Sequence, residues 1–124
     1  MTNLYHYSCD HGAPEIARDG YVRSLWDVLG AAEGDGVSLT RLPQCQFAWF
    51  TDLDVADARG LGLTRLSLSC DRTKHRFRVT DATEVTRWLD VRRYHPALWP
   101  LEEAPGALPA HWWLATEPVP VVPA

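Results

Sequence analysis

The best helical pattern in this chain spans only eleven residues, TEVTRWLDVRR (83–93), whereas five segments have strand character. The strand segments are 3–8, QFAWFTD (46–52), LTRLSLS (63–69), HRFRVTD (75–81) and HWWLAT (111–116). Aromatic residues favour strands, and 46–52 reads as an apolar, buried one. In 63–69, Leu63, Arg65, Ser67 and Ser69 alternate with Thr64, Leu66 and Leu68. In 75–81, Phe77 and Val79 alternate inward. Alternation is the mark of a half-buried strand, and CDRTK between these two segments reads as a hairpin turn.

The helical pieces are short and well punctuated. APEIARDG (13–20) has Pro14 in the first turn, where a missing N–H costs nothing, and Gly20 just past the end. VADARGLG (55–62) reads as a helical turn ending in glycine. In 83–93, Val85, Trp88, Leu89 and Arg92 recur at helical spacing, with Thr83 as N-cap and two arginines in the last turn. Residues 21–23 read as a short extended piece. Residues 24–45, with three glycines, are expected to form a mobile loop holding a helical turn at Trp26–Leu29. Residues 95–110 carry four prolines and read as loop, and 117–124 as an extended tail. This order gives an α+β fold with a mixed or antiparallel sheet as its core.

At 124 residues the chain is expected to be one domain, long enough to bury a core without disulfides or metals. A net charge of −4 argues against a surface built to coat nucleic acid or an anionic membrane. There is no long apolar run, and the charges within residues 1–20 exclude a signal peptide there, so a cytoplasmic protein is expected. Cys9, Cys45 and Cys70 are odd in number and scattered, which suits reduced thiols. Cys9-x-His11 has no second close pair, so no metal is expected. The charge is uneven: residues 65–93 hold eight of the twelve Lys and Arg, against four acids. That segment could receive a phosphate-bearing ligand, or it could be a solvated face.

His6 stands out. It lies between Tyr5 and Tyr7 on the first strand, sharing a face with Leu4 and Ser8, and propensity does not explain it. The stretch LYHYSCDHGAPEIARDGYVRS reads as a His-x-Ser strand, a helix, then Ile16 followed by Gly20 and Tyr21. This resembles the opening of ADP-ribosyltransferase-like proteins, and most closely the branch with the DNA-modifying DarT toxins and the RNA 2′-phosphotransferases. FAWFTDL resembles that branch's next core strand. Together the two segments cover a little under a quarter of the chain.

The resemblance implies an ADP-ribosyltransferase-like fold that binds NAD as substrate and transfers ADP-ribose to a protein or nucleic acid. His6 would hold a ribose of NAD, with Ser8 on the same sugar or the nicotinamide ribose. A neutral imidazole offers one donor and one acceptor, which suits a diol. Tyr7, Tyr21, Trp49, Phe50, Thr51 and Arg76 complete the implied nucleotide site.

In the family a late glutamate stabilises an oxocarbenium-like state, as in glycosidases. The last strand here, HWWLAT, holds no acid; Glu117 follows it, and Glu84 sits in the first turn of the expected helix. Asp52-Leu53-Asp54 stands where the DarT-like branch carries an arginine, and the first arginine after it is Arg59. Trp112 and Trp113 must face opposite sides of their strand, one of them inward. Two alternatives follow. One is a non-enzymatic relative that binds a nucleotide or a host protein. The other is an enzyme acting on an RNA 2′-phosphate through the Arg65–Arg78 cluster. A free-standing domain of this size suits a toxin or a phage-encoded effector.

Overall fold

A computed structural model of the chain describes residues 2–10, 12–24, 43–55, 61 and 73–124. The helical turn expected at Trp26–Leu29, most of the 24–45 loop, nearly all of the 55–62 turn, strand 63–69 and the first three residues of its hairpin connection lie outside the described residues.

The described chain is α+β, built on an antiparallel sheet with a few short helices. β1 (Tyr5–Ser8) leads into α1 (Ala13–Asp19) and β2 (Tyr21–Val22). β3 is Ala48–Thr51 and β4 is His75–Val79. β5 (Thr86–Arg87) runs directly into α2 (Trp88–Val91). β6 (Trp112–Ala115) and β7 (Val119–Pro123) close the chain. The strand order is β2-β7-β4-β1-β3-β6-β5, and every pairing is antiparallel.

That order forces a curl. β6 and β7 stand four places apart and run in the same direction, yet only residues 116–118 join them. Strands spaced ~4.8 Å apart would separate them by ~19 Å in a flat sheet, while the link reaches ~14 Å fully extended. A same-direction connection in a flat sheet would also need a long crossover. The chain therefore bends at 116–118 and continues as one strand from one half of the sheet to the other. Pairing through β7, β4, β1, β3 and β6 becomes a ring closed by the chain itself.

The inside of the curl is the main core. Ala48 and Phe50 of β3, Phe77 of β4, Ala115 of β6, Val119 and Val121 of β7, and Val22 of β2 pack there against Ala13 of α1. Partly buried Ile16, Val79, Val85 and Trp113 join them. The alternate residues form a second cluster outside the β3–β6 half. Phe47, Trp88, Leu98, Trp112 and Leu114 make it up, with Trp49 packed alongside. The ring centroids of Trp49, Trp88 and Trp112 lie 5.8, 6.2 and 6.5 Å apart. Trp112 and Trp113 do face opposite sides, each packed against a different cluster.

Helix α1 forms as its punctuation dictates. Gly20 takes φ 75°, the left-handed region open to glycine, and its N–H closes on the Ile16 carbonyl at 2.8 Å. Gly12, before the helix, packs closely on β1: a Cβ there would lie 2.6 Å from Ser8 Oγ, so the Ser8 hydroxyl would have to turn away. The helix start thus rests directly on the end of β1.

Three stretches differ from their sequence pattern. The helix expected over 83–93 is reduced to Trp88–Val91 and a following 3₁₀ turn, Arg92–Tyr94. Thr86 and Arg87 are drawn instead onto the open edge of β6, opposite Leu114 and Trp113. Thr83 caps nothing; the Asp81 carboxylate accepts its N–H and hydroxyl in a tight turn. The loop expected at 95–110 contains 3₁₀ turns at Pro96–Glu103 and Pro109–His111. The first of these buries Leu98 and places Glu102 to accept the Trp88 indole N–H at 3.1 Å.

The 117–124 tail contains β7, an interior strand between β2 and β4. Its prolines are tolerated because each missing N–H falls where the neighbouring strand has ended. Pro120 lies opposite Thr80, just beyond β4, and Pro123 lies beyond two-residue β2. No described helix is long and apolar enough to cross a membrane.

Trp88, fully buried, should be far less replaceable than Val122 on the outer surface of β7. Trp88→Ala is expected to cost about 3–5 kcal/mol in urea unfolding, by cavity formation. Val122→Ala should stay within about 0.5 kcal/mol. Similar losses in both would mean that the outer cluster does not stabilise the fold.

Candidate functional site

β1 is the central strand, and its two sides are unequal. It pairs with β4 along all four residues, Tyr5 to Ser8. It pairs with β3 only where Tyr5 stands opposite Thr51. Beyond that point the seam between β1 and β3 is bridged by side chains. His6 Nδ1–H donates to the Trp49 carbonyl at 2.7 Å, and the Tyr7 hydroxyl donates to the Leu53 carbonyl at 2.7 Å. Across the parted stretch the imidazole thus stands in for the backbone ladder, while the Tyr7 phenol reaches back to Leu53, beyond the end of β3.

His6 lies on the inner face, with its ring 5.7 Å from that of Phe50, and keeps part of its surface exposed. A neutral ring that donates through Nδ1 presents Nε2 as an acceptor. The bond to Trp49 is one that a purely structural histidine would also make. Ser8, on the same face, is buried under the start of α1. Tyr7 lies on the outer face. Burial raises its phenol above the ordinary value, opposed by the nearby Arg76 guanidinium. Arg76 shares that face, donating to the Asp54 carbonyl at 2.7 Å and lying 4.8 Å over the Tyr5 ring.

The other sequence candidates stand apart from the seam or inside the protein. Phe50 belongs to the inner core, and Trp49 to the outer aromatic cluster. Thr51 is buried, its hydroxyl accepting the Leu53 N–H at 3.2 Å. Tyr21 is exposed on β2, with β7 and β4 between it and β1, and Arg23 lies 5.7 Å over its ring. Glu117 is exposed on the bend between β6 and β7, and Glu84 is exposed in the turn before β5. Of the basic cluster, Arg76 and Arg78 alternate onto the outer side of β4, while Arg65 and Arg72 lie outside the described residues.

Two polar arrangements were not legible in the sequence. Asp10 accepts from Lys74 Nζ through Oδ2 and from His75 Nε2–H through Oδ1, each at 2.6 Å. His111 Nδ1–H donates to Asp52 Oδ1 at 2.6 Å, tying the turn before β6 to the end of β3. The partners are 59 to 65 residues apart, so no local spacing signals them. Among the described residues no group of three His, Cys, Asp or Glu side chains gathers to hold a metal ion. Cys9 and Cys45 are buried thiols, and Cys70 lies outside the described residues.

Comparison with protein-family models, curated proteins and solved structures returns no match.

The Asp10 bridge sets a pH window. Hydrogen bonds from His75 and then Lys74 lower its carboxyl from 3.8 to about 2. A depressed carboxyl stabilises the fold above its ordinary value, and that contribution is lost as pH falls from 3.8 toward 2. Carbon-13 titration should place the Asp10 midpoint near 2. A midpoint at the ordinary value of 3.8 would mean that the bridge does not form in solution.

Proposed function

We propose that this chain binds NAD or a related nucleotide at the parted seam between β1 and β3, with a ribose hydroxyl donating to His6. One observation carries this reading. The central strand gives up its ladder with β3 just where His6 stands, and the Trp49 carbonyl holds the imidazole in one tautomer. A fixed ring with Nε2 as acceptor is what a ribose hydroxyl needs. The resemblance of residues 4–24 and 47–53 to ADP-ribosyltransferase-like proteins points to the same ligand and to transfer of ADP-ribose to a protein or nucleic acid. Arg76, engaged on the opposite face by Asp54 and Tyr5, is no part of this sugar site.

A second reading, binding without turnover, is favoured by the place of the acids. β6 carries Trp112 and Trp113 and no carboxylate, and Glu117 is exposed on the bend. A catalytic glutamate would have to reach the ribose from there.

Calorimetry with millimolar NAD and ADP-ribose tests the binding. A ligand specific to the native state should also raise Tm; at a hundredfold excess over Kd the stabilisation is about 2.7 kcal/mol. His6→Asn retains a donor for Trp49 and removes the acceptor at the Nε2 position, which the shorter amide does not reach. It should keep the wild-type fold by circular dichroism and lose the Tm shift. No heat from wild type with either ligand would overturn the reading.

Turnover separates the two readings. If Glu117 stabilises the transition state, Glu117→Gln should lower NAD cleavage by roughly 10²–10⁴-fold while binding survives. Binding without cleavage by wild type would establish the non-enzymatic reading.

A further inference from the structure

An open groove of 460 Å³ lies between α1 and the β4–β7 pair, separate from the His6 contacts. Ala13 and Ala17 of α1, Phe77 of β4 and Pro123 of β7 give it apolar walls. Asp10, Lys74 and His75 line it as well, and there the chain supplies its own anion. The Asp10 carboxylate is held through one oxygen by Lys74 and through the other by His75. It comes from the turn after β1 and is 60% exposed, so it can swing into solvent.

We propose that this groove is a second ligand site, for a small organic anion. Its apolar body would lie against Ala17, Phe77 and Pro123, and its carboxylate or phosphate would replace Asp10 between Lys74 and His75. The geometry is complementary on both counts. Two donors, one of them the Lys74 ammonium, already converge on the two oxygens of one carboxylate, which marks the position and charge of the head group. The apolar walls adjoin that position, and a body seated on them gains burial that Asp10, with its single methylene, does not. Asp10 yields readily, because an exposed ion pair contributes little to stability. Its carboxyl is held at about 2, so it remains an anionic competitor at neutral pH. The bridge thus acts as a built-in occupant that sets a threshold for the ligand. This inference does not depend on the nucleotide reading, which uses the seam on the other side of β1.

The test is binding of phenyl phosphate, benzoate and inorganic phosphate, followed by amide shifts in two-dimensional NMR. Phenyl phosphate and benzoate should shift Ala17, Lys74, His75 and Phe77, and comparing the two distinguishes a phosphate ligand from a carboxylate. Inorganic phosphate, without an apolar body, should bind more weakly than phenyl phosphate. Asp10→Ala removes the competitor and should tighten phenyl phosphate binding about two- to fivefold, the scale of an exposed pair. Lys74→Gln should weaken it about fivefold or more, and His6→Asn should leave it unchanged. The proposal is overturned if no probe shifts these residues at millimolar concentration. Weaker or unchanged binding in Asp10→Ala would overturn it as well, as would unchanged binding in Lys74→Gln.

Discussion

Three residues, Thr116, Glu117 and Pro118, decide the shape of this molecule. They carry the chain from β6 to β7, which the hydrogen-bonded order of the sheet sets four places apart. A flat sheet cannot accommodate so short a link, so the sheet closes on itself and its inner face becomes a core. Ala115 and Val119, on either side of the bend, are both buried in that core. Pro118 helps by restricting its own φ and the conformation of the residue before it. Because the ring is completed covalently, β1 at its centre need not be fully paired on both sides.

That freedom is used at the β1–β3 seam. A backbone ladder there would have been the default solution, since exposed N–H and C=O groups in a sheet seek partners. Instead the Trp49 carbonyl accepts a hydrogen bond from the His6 ring and the Leu53 carbonyl accepts one from the Tyr7 hydroxyl. Side-chain bonds hold the strands together while leaving a partly exposed imidazole on the inner face. Packing makes the opening tolerable. The β3–β6 half has its own outer cover, in which Trp49, Trp88 and Trp112 interlock and Glu102 binds both the Trp88 indole and Arg92. The nucleotide site proposed above rests on this combination of a well-packed frame and one parted strand pair.

Short-range chemistry was readable. Pro14 and Gly20 bracket α1 as local rules require, and the aromatic run 46–52 contains β3. Alternation placed Phe77 and Val79 on the inner side of β4 and split Trp112 from Trp113. His6 was conspicuous because nothing local explained it. Where the reading failed, a distant partner had overridden local preference. Thr86 and Arg87 left a helical pattern to pair with β6, and the proline-rich end became an interior strand because its missing N–H groups fall past the ends of its neighbours.

The sequence by itself determined the α+β class, the first helix with its stops, the inward face of β4 and the singularity of His6. All of these follow from preferences within a few residues of one another. Only the tertiary structure decided that the final strand closes the sheet, that Trp49 supplies the acceptor for His6, and that Asp10 sits between Lys74 and His75. It also decided that Phe50 and Thr51 serve packing, and that Glu117 lies on the bend. The physical reason is separation along the chain. A turn or a helix cap is settled by neighbouring residues, but a hydrogen bond between groups 43 or 64 residues apart exists only once closure of the sheet has brought them together.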